Sequence, residues 1–236
     1  MEVMSLKTSI YQSYPYKMFS LGLEKFFTRE NSGDLYRMMG GGNSWECVVV
    51  FGEDSVCPSI CIDGGYLYYV CVEWVYGQDP IIHFYKTGDF GSTWEGISDV
   101  TVTGTLNQGT ISNIESLGNG QFLFGYNGKL YKSVDYCTTW LETDMVSGTG
   151  NVFYIVNAGD GLIFIVDSPY GREVGELKIY RSVDFGANFA QVYFEDMPSN
   201  VDICYVNRSF HKLVDGSFVF VAAGIVTGKQ IGRAHV

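Results

Sequence analysis

The chain has 236 residues, of which 17 % are charged and 16 % aromatic; 29 glycines stand against 5 prolines, and the formal net charge is −11. Such a length buries a sizeable core in one domain or two short ones, and this composition suits short strands joined by tight turns, an all-β class. The acidic balance and the lack of a Lys/Arg cluster argue against nucleic acid or an anionic membrane surface as partner, and no apolar run approaches the roughly 18 residues of a membrane-spanning helix.

In chain order, residues 1–20, "MEVMSLKTSIYQSYPYKMFS", form a lead of uncertain structure. Polar residues interrupt it too often for the apolar core of a secretory signal, so a cytoplasmic or particle-borne protein is the default expectation. "LYRMMGGGNSWE" starts at Leu35, "YKTGDFGSTWE" at Tyr85, "YKSVDYCTTWLE" at Tyr131 and "YRSVDFGANFAQ" at Tyr180. The last three place aspartates at 89, 135 and 184, which are 46 and 49 residues apart; Gly40 holds that place in a decayed first copy. An apolar residue precedes an aromatic by ten in every copy: Leu35 and Trp45, Phe84 and Trp94, Leu130 and Trp140, Ile179 and Phe189. Gly-rich turns leading into apolar strands recur at "DGGYLYYVCVEW" (Asp63), "GNGQFLFGY" (Gly118), "GDGLIFIVD" (Gly159) and "VDGSFVFVAAG" (Val214).

A unit of this length holding four short strands is a β-propeller blade. The expected fold is an incomplete propeller of four-stranded antiparallel blades, about four plus a fragment, over residues 21–228. The ending "QIGRAHV" back-translates into a common sequencing-library adapter, so residues 229–236 are expected to be a non-native tail.

The repeated turn has a physical logic. A hairpin between a blade's third and fourth strands leaves N–H groups unpaired, which a short carboxylate and a Ser/Thr hydroxyl can accept. Glycine supplies positive φ, and the aromatic folds back to bury its surface. Asp89, Gly91 and Trp94, Asp135 and Trp140, and Asp184, Gly186 and Phe189 are therefore read as structural turn residues, with Cys137 standing where the second turn's glycine belongs. Repetition favours this over catalysis, because an active site needs one such carboxylate rather than one per blade.

The pattern Ser/Thr-x-Asp-x-Gly-x-Thr-Trp resembles the Asp box of the bacterial neuraminidase repeat, found in sialidases and in several unrelated propellers. The resemblance spans residues 35–224 and implies a sialidase-like propeller that interacts with glycans. Sialidase-like enzymes clamp the sugar carboxylate with three arginines and use a Tyr nucleophile helped by a carboxylate, with an Asp as acid/base. Here "SVCPS" keeps Pro58 but has Val56 where the first arginine would stand, and "VEWVYGQD" offers Glu73 and Asp79 as catalytic candidates, with Trp74 and Val75 breaking the motif. The plainer reading of Asp79 is a solvated loop residue. Function is expected on loops of the face opposite the Asp boxes, where Trp74, Tyr76 and Tyr170 could stack on sugar rings. Arg172 could clamp a carboxylate or pair with Glu173 or Glu176.

The six cysteines form no CxxC pair and no metal-ligand spacing, so no metal or cofactor is expected. Cys57 and Cys71 fall roughly opposite each other across the Ile62–Gly65 turn, with free thiols the expectation. His83, His211 and His235 read as isolated, and the "NRS" sequon at Asn207 carries little weight without a secretion signal. The reading is a carbohydrate-interacting Asp-box module whose visible residues do not support catalysis. The alternatives are an exo-α-sialidase or other glycoside hydrolase truncated before its remaining catalytic residues, and a protein-binding or assembly scaffold.

Overall fold

The computed structural model describes residues 17–21, 24–28, 35–38, 45–49, 55–73, 78–102, 113–126, 129–143, 152–168, 176–196, 201–202, 209–212, 218–221, 225–226, 229–230 and 234–235. All regular elements among them are strands, and no helix there is long and apolar enough to cross a membrane. Four sheets have four strands each, hydrogen-bonded in chain order. The first comprises β1 (Lys17–Leu21), β2 (Glu24–Thr28), β3 (Leu35–Met38) and β4 (Trp45–Val49). The second comprises β5 (Ser55–Asp63), β6 (Tyr66–Glu73), β7 (Ile81–Thr87) and β8 (Glu95–Thr101). The third runs β9 (Glu115–Gly118), β10 (Gln121–Tyr126), β11 (Lys129–Ser133) and β12 (Leu141–Thr143); the fourth runs β13 (Val152–Gly159), β14 (Leu162–Ser168), β15 (Glu176–Ser182) and β16 (Ala190–Asp196).

Six shorter strands follow. β17 (Val201–Asp202), β20 (Ile225–Val226) and β21 (Lys229–Gln230) form one sheet, and β18 (Ser209–Lys212), β19 (Phe218–Val221) and β22 (Ala234–His235) another. Strand β1 begins inside the stretch read as an N-terminal lead, and β21 and β22 lie inside the stretch read as a tail.

Hairpin chemistry explains the meander. Each described Gly-rich turn joins a sheet's first and second strands, with positive φ at Gly64 and Gly65, Gly118 and Gly120, and Gly159 and Gly161. Each described Asp turn joins the third strand to the fourth. The β5–β6 register slips between Val56 and Ser59, which takes Cys57 out of the pairing, and Cys71 is a buried free thiol. No Cys57–Cys71 bond therefore forms.

The chain divides into two compact units, 1–107 with 118–122 and 133–140, and 108–117 with 123–132 and 141–236. In the first, Leu35, Ile60, Leu67, Tyr69 and Cys71 form a core with Val48, Tyr85 and Trp94 against it. On the other face of β6 and β7, Tyr68 meets Phe122 at 4.6 Å between ring centroids, and Phe84 stacks on Trp140 at 4.6 Å. Both faces of these strands are covered, which is why "YLYYVCV" reads as a continuous apolar run instead of an alternation. The second unit packs Leu117, Leu123, Leu130, Ile155, Ile163, Ile165 and Tyr180 together, with Phe189 against them. Each such large apolar side chain contributes about 1.5–3 kcal/mol on burial.

Candidate functional site

The three Asp turns have one geometry. The Asp89 carboxylate accepts from the Thr93 N–H at 2.9 Å and the Thr93 hydroxyl at 2.7 Å, and the Thr87 hydroxyl donates to it at 2.7 Å. Asp135 repeats this with Thr139 and Ser133. Asp184 does so with Ser182 and with Asn188, whose side-chain amide replaces the Thr hydroxyl. These bonds hold Asp89 and Asp184 at about 2, the leading causes being the Thr93 N–H and the Asn188 side chain respectively. A carboxylate so placed is a permanent acceptor at neutral pH, unsuited to deliver a proton.

The hydroxyl two residues earlier is the buried part of the turn. Thr87, Ser133 and Ser182 are 1–3 % exposed, and each accepts the N–H of the residue in the glycine position at 2.9–3.0 Å. That position is left-handed in all three turns, at φ +85° for Gly91, +65° for Cys137 and +74° for Gly186. Cys137 thus takes a glycine conformation at a cost of about 1–2 kcal/mol. Its thiol is fully enclosed and burial raises its pKa, so it is not a reactive nucleophile.

The motif's basic residue ties one sheet to the next. Arg37 on β3 donates to the Phe90 carbonyl at 3.0 Å, and Lys132 on β11 donates to the Phe185 carbonyl at 2.7 Å. Asp63 likewise reaches forward to accept the Gly120 N–H at 3.0 Å. The Asp turns therefore lie on a structural seam.

At the far end of β6 the structure brings Glu73 to His83. His83 Nε2 lies 2.9 Å from Glu73 Oε2, and Nδ1 lies 2.7 Å from Asp99 Oδ1. Register produces this row: Cys71, His83 and Asp99 are direct cross-strand partners on β6, β7 and β8, and Glu73 is two residues beyond Cys71 on the same face. Both ring nitrogens face carboxylates, so the N–H of either tautomer has an acceptor. Tyr85 lies beside His83, with ring centroids 6.3 Å apart. Burial, then Cys71, Asp99 and Glu73, raise the pKa of its hydroxyl, so this phenol is held neutral, opposite to what a Tyr nucleophile requires.

Asp79 is exposed in the connection before β7. Trp74, Tyr76, Tyr170 and Arg172 lie outside the described residues. Sequence reading took His83 as isolated, because its two partners sit 10 and 16 residues away and meet it only through strand register. It also passed over Asp167, 1 % exposed near the end of β14. Among the described residues no group of three His, Cys, Asp or Glu side chains is placed to hold a metal ion.

No protein-family model matches the sequence, and no curated protein matches it. Solved structures are similar in three dimensions. A GH74 enzyme of Niastella koreensis matches with a TM-score of 0.60 at 16 % identity, over 92 % of this chain and 36 % of that one. An alpha-L-arabinanase of Cellvibrio cellulosa, complexed with arabinohexaose, matches at 0.56 and 13 % identity, over 93 % and 89 %. The GH43 BlXynB protein of Bacillus licheniformis matches at 0.53 and 11 %, over 89 % and 48 %. The chain spans between a third and a half of the length of the GH74 and GH43 proteins. These neighbours are propeller glycoside hydrolases. At such identities the likeness establishes the fold, and the chain is an all-β propeller built from four-stranded antiparallel sheets.

Proposed function

We propose that the chain is a carbohydrate-binding propeller module of the Asp-box, sialidase-like kind. Its ligand-contacting side chains are Trp74, Tyr76, Tyr170 and Arg172, on the connections from second to third strands. The observation that carries this reading is the match to carbohydrate-active propellers across about nine-tenths of the chain. Binding is favoured over hydrolysis because the turn aspartates and Glu73 are engaged elsewhere. The turn aspartates accept backbone and hydroxyl donors, and Glu73 and Asp99 bracket His83. Most glycoside hydrolases need two carboxyl groups flanking a glycosidic bond, one of them protonated, and the sialidase kind needs an Asp acid/base with a Tyr nucleophile.

Titration calorimetry with sialosides, arabino-oligosaccharides and xyloglucan oligosaccharides tests this, run beside a chromogenic release assay on the same samples. Binding without release, weakened at least tenfold by Trp74→Ala or Tyr170→Ala in chains of unchanged circular dichroism, is the expected result. Release that disappears in Asp79→Ala supports the glycoside-hydrolase reading, as the hydrolase neighbours would suggest. Absence of binding to all three classes overturns the proposal in favour of a protein-binding scaffold.

A further inference from the structure

The first strands of the third and fourth sheets, β9 and β13, belong to different sheets, yet side chains lace them together within one compact unit. Asn113 substitutes for a strand partner. Its Oδ1 accepts the Ile155 N–H at 2.9 Å, and its Nδ2 donates to the Ile155 carbonyl at 2.7 Å. Asn157 answers from the other side, its Nδ2 donating to the Ser116 carbonyl at 2.7 Å while its Oδ1 accepts the Gly159 N–H at 2.9 Å.

Glu115 closes the seam between these two amides. Its Oε1 accepts the Asn157 N–H at 3.3 Å, and its Oε2 accepts the second Asn113 Nδ2 proton at 3.1 Å. We propose that Glu115 is a proton-operated latch on this seam: as a neutral acid it stays enclosed between β9 and β13, and as a carboxylate it draws water in and loosens the junction.

Two observations carry the latch besides its position. Both hydrogen bonds to the carboxyl come from neutral amides, one of them long, so neither strand supplies a cation to this half-buried carboxylate. Burial is accordingly the dominant influence, and it lifts the proton affinity to about 7 against the two hydrogen bonds that oppose it. The titratable side chains of the packed strands are Tyr126 of β10, Tyr154 of β13 and Asp167 of β14, and none of them is among the influences on this proton. The change therefore falls between the ordinary carboxyl value of 4.5 and about 7, where phenols stay protonated.

Amide hydrogen exchange of the full chain between about pH 4 and 8, corrected for intrinsic base catalysis, tests this at the Ile155 and Asn157 N–H groups. Protection falling by up to tenfold per unit as pH rises from about 4.5 to about 7, the slope of one linked proton, and level above about 7, is expected. In Glu115→Gln the same two amides should show a flat profile, because the amide keeps an acceptor and cannot ionise. A flat wild-type profile, or an unchanged slope in Glu115→Gln, overturns the latch. Should that variant fail to fold, ¹³C titration of the Glu115 carboxyl in the native chain decides: a midpoint near 7 sustains the proposal and one near 4.5 overturns it.

Discussion

Ser133→Ala removes the atom on which the second Asp turn converges. Its hydroxyl, 1 % exposed, donates to Asp135 Oδ1 at 2.9 Å and accepts the N–H groups of Cys137 at 3.0 Å and Asp135 at 3.4 Å. Truncation leaves the buried Cys137 N–H without its acceptor, a loss of about 1–3 kcal/mol. The bond to Asp135 adds little, since that carboxylate is only half-buried and keeps Thr139. The sum is about 1–3 kcal/mol, and for a chain of this size each kcal/mol lowers Tm by roughly 2–4 °C. A fall of about 2–12 °C is expected in thermal melts followed by circular dichroism and by the fluorescence of Trp140, which sits in the same turn. Thr138→Ala is the control, because its exposed hydroxyl donates only to the Asp135 carbonyl, and it should stay within about 0.5 kcal/mol of wild type. Equal effects from the two substitutions would refute the view that the buried hydroxyl, rather than the exposed rim, holds the turn.

Two further outcomes follow from the turns. Gly161 has φ +79°, and a Cβ there would lie 2.9 Å from two ring carbons of Phe185, so Gly161→Ala should cost more than the roughly 1–2 kcal/mol of a left-handed non-glycine residue. In a Phe185→Ala background urea denaturation should recover the clash and not the backbone part; a neutral Gly161→Ala would contradict this. Asp89 and Asp184 are held at about 2 against an ordinary 3.8, so they bind protons less readily folded than unfolded. Their stabilisation is present above about pH 4 and disappears as pH falls towards 2, and Asp89→Asn or Asp184→Asn should flatten the acid limb of a melting-temperature profile there. Identical acid slopes in wild type and variants would sink that assignment.

Much of the fold was legible because its signals are local. An Asp turn closes its hydrogen bonds over two to four residues, Thr87 to Gly91 and Asp89 to Thr93, so composition and spacing suffice to place the turn and count the sheets. Buried second strands announce themselves as unbroken apolar runs, "YLYYVCV" and "QFLFGY", because both faces are covered. The same local pattern drew attention to the conspicuous aspartates and understated the hydroxyls, whose importance comes from burial that no spacing reveals.

The candidate site was less accessible, because its chemistry is assembled across strands. Glu73 was visible as a loop-edge carboxylate, but its pairing with His83 and Asp99 depends on the register of three strands at once. Arg37 meets Phe90 across 53 residues, Asp63 meets Gly120 across 57, and Asn113 meets Ile155 across 42. The sequence by itself determined the repeat, the strand order and the turn chemistry, since each is written within a few residues. Tertiary structure alone decided which groups are buried and which sheets clasp each other, because those follow from packing between segments that carry no mark of one another in the chain.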